Sequence, residues 1–201
     1  MKKLYIFGDS IAFGQHISIH KTWAAMLSKY LEDKFICQNP SINRNTTKDA
    51  LNRIAFDIEQ HMPEVVYIQF GLNDANFWVT DKGMPRVSKS LYEANLKEII
   101  LRLFNIAKTE KILLATNHLP TKQIDFKKKD EYIINVKEYN KIVRKVATEF
   151  VKLGMGVILI DHEKNSLSFD NFLLEDGVHL NENGHKIYFE FIKKVLAKGV
   201  L

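Results

Sequence analysis

Five short apolar segments alternate with amphipathic segments of helical period along this 201-residue chain. The apolar segments are Lys3 to Phe7, Lys34 to Gln38, Val65 to Phe70, Lys111 to Thr116 and Val157 to Ile160. Strands that are continuously apolar are typical of a parallel sheet covered by helices on both faces. Right-handed crossovers then predict a doubly wound α/β fold with about five parallel strands. We expect residues 1–201 to form one domain of this class.

Apolar residues spaced three and four apart predict the helices between these strands. Two capping patterns mark helix starts, Thr46-x-x-Asp49 and Ser90-x-x-Glu93. A later helix is predicted to stop at Gly154, and the last helix is predicted to begin near Glu182. We expect His185 to lie on the exposed face of that last helix.

Composition excludes several classes of protein. The chain is 46% hydrophobic and 26% charged, which is ordinary for a globular protein, and its single cysteine excludes a disulfide scaffold. A net charge of +5 without a nucleic-acid motif gives no reason to expect a nucleic-acid partner. No apolar run is long enough for a membrane span, and Leu4 to Phe7 is too short for a signal peptide. We therefore predict a cytoplasmic protein, and the sequence leaves its oligomeric state open.

Polar residues follow the predicted strands at the edge where ligands bind in such sheets. They are Asp9 and Ser10 after the first strand, Asn73 and Asp74 after the third, Asn117 and His118 after the fourth, and Asp176 and His179 beyond the fifth. A serine, histidines, carboxylates and amide donors are the parts of a serine hydrolase site. This edge is therefore the predicted functional site.

Ser10 is the candidate nucleophile, and a serine hydroxyl needs a base to accept its proton. Asp176 and His179 are three residues apart, so their side chains can face one way. The aspartate can then fix the imidazole tautomer while the other ring nitrogen points at Ser10. Asn73 and the backbone N–H of Ser10 are candidate donors to an oxyanion.

Three sequence blocks resemble those of the GDSL or SGNH hydrolases. They are Gly8-Asp9-Ser10-Ile11, Gly71-Leu72-Asn73-Asp74 and Asp176-Gly177-Val178-His179. The resemblance implies a flavodoxin-like three-layer α/β/α sandwich and an esterase, lipase, thioesterase or carbohydrate deacetylase that needs no metal and no organic cofactor. By position it implies that Ser10 is the nucleophile, His179 the base and Asp176 the orienting acid. It also implies an oxyanion hole made by Asn73 and the Ser10 amide.

One block departs from the pattern of that family. Arg44 occupies the place where the family usually has a glycine whose N–H completes the oxyanion hole. Arg44 keeps a backbone N–H, so the donor survives if the loop allows the required dihedral in a residue other than glycine. Its guanidinium could stabilise charge, bind an anionic substrate or turn towards solvent.

Three further residues are candidates for a substrate pocket. Phe77 and Trp78 lie four and five positions beyond Asn73 and could wall an acyl or aryl pocket, or cover the sheet edge instead. His118 follows the fourth strand and could line the same pocket. No metal-ligand motif and no glycine-rich nucleotide loop is present in the sequence, so we expect no metal site.

These features favour a serine ester hydrolase that acts on small-molecule esters, with short acyl or acetyl groups, through a covalent acyl-enzyme. Two alternatives stay open. The first is an acyltransferase that uses the same triad and passes the acyl group to another alcohol. The second is a non-catalytic module that binds a small ligand and whose oxyanion hole is altered at Arg44.

Overall fold

The computed structural model describes residues 1–77, 83–121, 129–166 and 171–198, and a parallel sheet lies at its centre. The strands are Lys2–Gly8 (β1), Phe35–Gln38 (β2), Val65–Gln69 (β3), Lys111–Ala115 (β4) and Val157–Ile160 (β5). They pair in the order β2-β1-β3-β4-β5, and every pairing is parallel. The predicted α/β class with about five parallel strands is therefore confirmed.

Helices cover both faces of the sheet. They are Ser10–Phe13 (α1), Trp23–Tyr30 (α2), Thr47–Asp57 (α3), Leu72–Ala75 (α4), Lys89–Asn105 (α5), Lys129–Lys152 (α6), His162–Ser166 (α7) and Glu182–Leu196 (α8). The connection from β1 to β2 crosses the sheet in one direction, and the later connections cross in the other. Right-handed crossovers therefore place α2 on one face and α3, α5 and α6 on the opposite face. The packing agrees, because α2 contacts α8, whereas α3 contacts α5 and α5 contacts α6.

Helix boundaries follow the capping chemistry. Thr46 and Asp49 form the predicted capping box at the start of α3. Helix α5 begins two residues earlier than predicted, because the hydroxyl of Ser88, and not that of Ser90, accepts the N–H of Leu91. Within the described ranges, no helix is both long enough and apolar enough to cross a membrane.

The packing of α8 on α2 corrects one prediction. His185 is buried, and its Nδ1 accepts the backbone N–H of Trp23 at 3.1 Å. Burial lowers the pKa of His185 to about 4, so the ring is neutral and can accept this hydrogen bond. The residue therefore joins two helices and does not lie on a solvated face.

Candidate active site

Ser10 lies at the junction between β1 and α1. Gly8 permits this tight junction, because a Cβ at that position would lie 2.6 Å from the Cβ of Ala12 and 2.8 Å from the carbonyl oxygen of Gln69. The carboxylate of Asp9 caps α1 by accepting the N–H of Ile11 at 3.0 Å. Ser10 is thereby held at the carboxyl end of β1, with 7% of its surface exposed.

A histidine from a segment far along the chain contacts Ser10, and an aspartate contacts that histidine. His179 Nε2 lies 3.0 Å from the Oγ of Ser10, and His179 Nδ1 lies 2.5 Å from Oδ2 of Asp176. A carboxylate accepts hydrogen bonds only, so Nδ1 carries the ring proton of neutral His179. Nε2 is then the free acceptor that faces the serine hydroxyl. Ser10, His179 and Asp176, which the sequence predicts as a serine, its base and an orienting acid, are thus brought together.

Asp176 also organises the loop that carries it. Its Oδ1 accepts the backbone N–H groups of Val178 and His179 at 2.8 and 2.9 Å. Partial burial acts to raise the pKa of Asp176, but the hydrogen bonds from His179 and Val178 outweigh it and lower the pKa below its ordinary value. The carboxyl group therefore stays ionised and keeps its hold on the imidazole.

Asn73 lies on the other side of the site and is fixed at both ends of its amide. Its Nδ2 donates to Oδ2 of Asp9 at 3.3 Å, and its Oδ1 accepts from Nη1 of Arg86 at 3.3 Å. The guanidinium of Arg86 can only donate, so it selects the orientation in which the amide nitrogen faces Asp9. From the sequence, Arg86 could meet an acidic substrate or lie in solvent, and its position in a long loop gave no signal for this contact with Asn73.

Arg44 adopts a left-handed backbone conformation with φ of 66°, the region that favours glycine. Its carbonyl oxygen accepts Nη1 of Arg86 at 3.3 Å, and Arg44 itself is exposed. The position that lines up with a family glycine therefore has the conformation that a glycine would supply. A residue other than glycine is held in this region at a cost of about 1–3 kcal/mol.

Arg53, for which the sequence gave no functional signal, connects the Arg44 loop to the sheet. Its guanidinium donates to the carbonyl of Pro40 at 2.7 Å, to Oδ1 of Asn45 at 2.6 Å and to the carbonyl of Gly8 at 3.4 Å. Its partner Asp57 lies 2.5 Å away at the i,i+4 position. That spacing indicated only an ordinary helix ion pair, so the sequence gave no sign of the loop contacts.

The pocket residues predicted from the sequence fare differently. His118 is fully buried and presents no surface to solvent, and its role in a substrate pocket stays a prediction. The 176–179 loop lies over it, and its Nε2 is 2.7 Å from the carbonyl oxygen of Val178. Phe77 is half-buried, packs against the core and pairs with Pro85 in an isolated β-bridge. Trp78 lies outside the described residues.

Asp9 and Asp74, which adjoin Ser10 and Asn73 in the sequence, are fully buried carboxyl groups. Burial is the largest effect on both, and it raises the pKa of Asp9 to about 7 and the pKa of Asp74 to about 6. Hydrogen bonds from Ile11 and Asn73 act in the opposite direction on Asp9, as those from Thr47 do on Asp74. The floor of the site therefore holds carboxyl groups that change protonation near neutral pH.

One group of side chains in the described ranges offers ligand atoms suited to a metal ion. Atoms of His16, Asp176 and His179 lie within 4.8 Å of one another. The ring of His16 contacts that of His179 edge-on, with 5.1 Å between the ring centroids. Nitrogen and carboxylate ligands of this kind suit Zn²⁺. The sequence gave no metal-ligand spacing for this group, because His16 comes from the loop after α1.

A serine, a histidine and a carboxylate connected in this order define serine hydrolases on several unrelated folds. The model of the GDSL-like lipase/acylhydrolase family matches residues 6–187 of this chain. The chain therefore belongs to that family.

Its relatives are distant. It is 35% identical over 77 residues to the arylesterase of Vibrio mimicus, covering 36% of this chain and 38% of that protein. It is 26% identical over 104 residues to the thioesterase 1/protease 1/lysophospholipase L1 of Escherichia coli K12, covering 50% of each protein. The match thus spans half or less of either relative. The structure of the lipase/acylhydrolase from Enterococcus faecalis has the same fold, with a TM-score of 0.80, 21% identity, and coverage of 98% of this chain and 95% of that chain.

Proposed function

We propose that this protein is a serine ester hydrolase that works through a covalent acyl-enzyme. One observation carries the proposal: His179 Nε2 lies 3.0 Å from the hydroxyl of Ser10 while Asp176 occupies the other ring nitrogen. A serine hydroxyl becomes an effective nucleophile when a positioned base accepts its proton. Membership of a family of lipases and acylhydrolases supports the same reaction.

The first half of the reaction forms the acyl-enzyme. His179 accepts the proton of Ser10 as Oγ attacks the carbonyl carbon of the ester. Asp176 stabilises the resulting imidazolium through Nδ1 and remains ionised itself. The protonated Nε2 then donates its proton to the leaving alcohol oxygen, and the C–O bond of the ester breaks. Ser10 is left acylated, and His179 is neutral again.

The second half of the reaction releases the acid. A water molecule takes the place of the alcohol. The water attacks the acyl carbon while His179 accepts one of the water protons. The tetrahedral intermediate collapses, and Ser10 leaves with the proton returned by His179. The same base thus serves both halves, as microscopic reversibility requires.

The negative oxygen of each tetrahedral intermediate needs donors, and we assign three. They are the backbone N–H groups of Ser10 and Arg44 and the side-chain nitrogen of Asn73. That nitrogen carries two hydrogens, and its bond to Asp9 uses one of them. The second hydrogen is the donor to the oxyanion, and one such donor contributes about 3–4 kcal/mol to the transition state.

Small esters with short acyl or acetyl groups are the substrate class that we assign. An arylesterase and a thioesterase/lysophospholipase are among the relatives, so the group that leaves the acyl carbon varies among them. Acyl transfer to an alcohol instead of water would use the same residues and differ in its second step only. An assay with an added alcohol acceptor separates the two reactions by their products.

Fluorophosphonate labelling followed by mass spectrometry tests the proposal. The wild type is expected to carry one adduct, on Ser10, and neither Ser10→Ala nor His179→Ala should react. His20→Ala, which removes an exposed histidine from the loop after α1, is the matched control and should label like the wild type. A panel of acetyl to octanoyl esters then ranks the substrates. A folded wild type that takes no label but binds an ester saturably would refute catalysis and favour the binding module.

A further inference from the structure

His118 lies in a buried chain of hydrogen bonds that ends at the 176–179 loop. Its Nε2 is 2.7 Å from the carbonyl oxygen of Val178, and its Nδ1 is 2.6 Å from the hydroxyl of Tyr188. A carbonyl accepts only, so Nε2 carries the proton of the neutral ring, and the hydroxyl of Tyr188 donates to Nδ1. Burial lowers the pKa of His118 to about 4, which agrees with a neutral ring. Both ring nitrogens are therefore used, each in a defined direction.

The chain continues from Tyr188 into the sheet. The side-chain nitrogen of Gln69 lies 3.4 Å from the Tyr188 hydroxyl and 3.3 Å from the carbonyl of Thr116, and these three residues are fully or almost fully buried. Gln69 ends β3, and Thr116 directly follows β4. The proton that His118 donates to Val178 is thus oriented by groups fixed to the centre of the sheet.

Val178 directly precedes His179, so its carbonyl belongs to the peptide unit that leads into the catalytic ring. Elsewhere the 176–179 loop is attached by backbone hydrogen bonds, from Thr121 to the carbonyl of Gly177 at 2.9 Å and from Leu174 to that of His179 at 2.8 Å. His118 contributes a side-chain contact from below, at the position closest to the base. A displacement of about 1 Å in a reacting group costs on the order of 100-fold in rate.

We propose that His118 is a positioning residue for His179. By holding the carbonyl of Val178 to the sheet, it fixes the direction in which Nε2 of His179 approaches the hydroxyl of Ser10. This inference rests on the proposed serine hydrolase function, and it assigns His118 no contact with substrate. Its role belongs to the proton transfer step and not to substrate binding.

His162 supplies a matched control. It is also a fully buried histidine, and its ring stacks on Tyr188 at 3.7 Å with an interplanar angle of 5°. Within the part of the chain that the structure describes, its hydrogen-bond and ring partners are Tyr67, Tyr188 and Phe191, and none of these lies in the 176–179 loop; its Nε2 pairs with the hydroxyl of Tyr67 at 2.9 Å. Replacing either histidine with phenylalanine disturbs the same buried region, but only His118→Phe removes the contact with the 176–179 loop.

The test compares steady-state kinetics of His118→Phe and His162→Phe with the wild type. His118→Phe is expected to lower kcat about 10- to 100-fold with KM within about twofold, because the base is displaced and the substrate pocket is intact. His162→Phe should keep kcat within about threefold of the wild-type value, even where its melting temperature falls as much as that of His118→Phe. Equal losses of kcat in the two variants, or an unchanged kcat in folded His118→Phe, would overturn the proposal.

A second pair of variants keeps the test decisive where the phenylalanine variants fail to fold. Glutamine places its amide nitrogen near the position of a histidine Nε2, whereas asparagine is too short to reach it. His118→Gln should therefore recover most of the kcat, and His118→Asn should not; equal kcat values in these two would also refute the role. Fluorophosphonate labelling of Ser10 distinguishes the two levels of failure. An unlabelled wild type refutes the hydrolase itself, whereas wild type and His118→Phe that label at equal rates refute the positioning role alone.

Discussion

Replacing Asp9 with asparagine is expected to remove a pH dependence from the stability of this protein. Burial raises the pKa of the Asp9 carboxyl group to about 7 from 3.8. Between pH 3.8 and about pH 7, the folded protein holds a proton on Asp9 that the unfolded chain has released. The folded state thus binds more protons than the unfolded state, so the free energy of unfolding falls as pH rises.

The size of the effect follows from the two pKa values. For a single carboxyl group shifted from 3.8 to about 7, the free energy of unfolding falls by roughly 2–3 kcal/mol between pH 5 and pH 8. Asparagine carries no titrating proton, and its side-chain oxygen can still accept the N–H of Ile11 as a helix cap. The variant should therefore keep α1 and lose this part of the pH dependence.

Urea unfolding, followed by the fluorescence of buried Trp23, measures the prediction at pH 5, 6, 7 and 8. The free energy of unfolding of Asp9→Asn, relative to the wild type, should rise by roughly 2–3 kcal/mol across this range at an unchanged denaturant slope. Asp33→Asn, which alters an exposed carboxyl group, should give a curve parallel to that of the wild type. Parallel curves for Asp9→Asn and the wild type would show that Asp9 is ionised throughout and refute the reasoning.

Three further predictions concern the site. Asn73→Ala should lower kcat about 100- to 1,000-fold through loss of an oxyanion donor, and a loss below tenfold in steady-state assays would contradict that role. Arg44→Gly should keep the activity and raise the melting temperature, because glycine adopts the left-handed backbone conformation without strain. A loss of activity relative to the wild type on anionic esters but not on neutral esters, in both Arg44→Gly and Arg44→Ala, would assign the guanidinium to substrate binding. Added Zn²⁺ should inhibit hydrolysis by binding His179 and Asp176 together with His16, and a chelator should restore activity. His16→Ala should weaken this inhibition and His20→Ala should not, and equal inhibition of both variants would exclude His16 as a ligand.

Local chemistry explains what the sequence could predict. The five strands are present as expected, and the capping box at Thr46 is where its spacing placed it. Ser88 and Ser90 both precede helix-compatible residues, so spacing could not decide which serine caps α5. Ser10, His179 and Asp176 could be predicted because their motifs lie directly after a strand or directly before a helix.

Contacts between distant segments could not be predicted from the sequence. His118 follows a strand at the ligand-binding edge, as a pocket residue would, but the 176–179 loop covers it. Arg86 and Arg53 resemble ordinary surface arginines until the fold brings Asn73 and the Arg44 loop within reach of their guanidinium groups. Such contacts depend on how loops lie over the sheet, which no periodic pattern records.

The two hydrogen bonds of the His179 ring have very different separations along the chain. Its bond to Asp176 spans three residues, whereas its bond to Ser10 spans 169 residues. The first forms within one loop at little entropic cost, but the second requires two segments that are far apart in the sequence to meet. Esterase activity should therefore return late in refolding, after the circular dichroism signal of the helices recovers. Its return reports that Ser10 and His179 have come together.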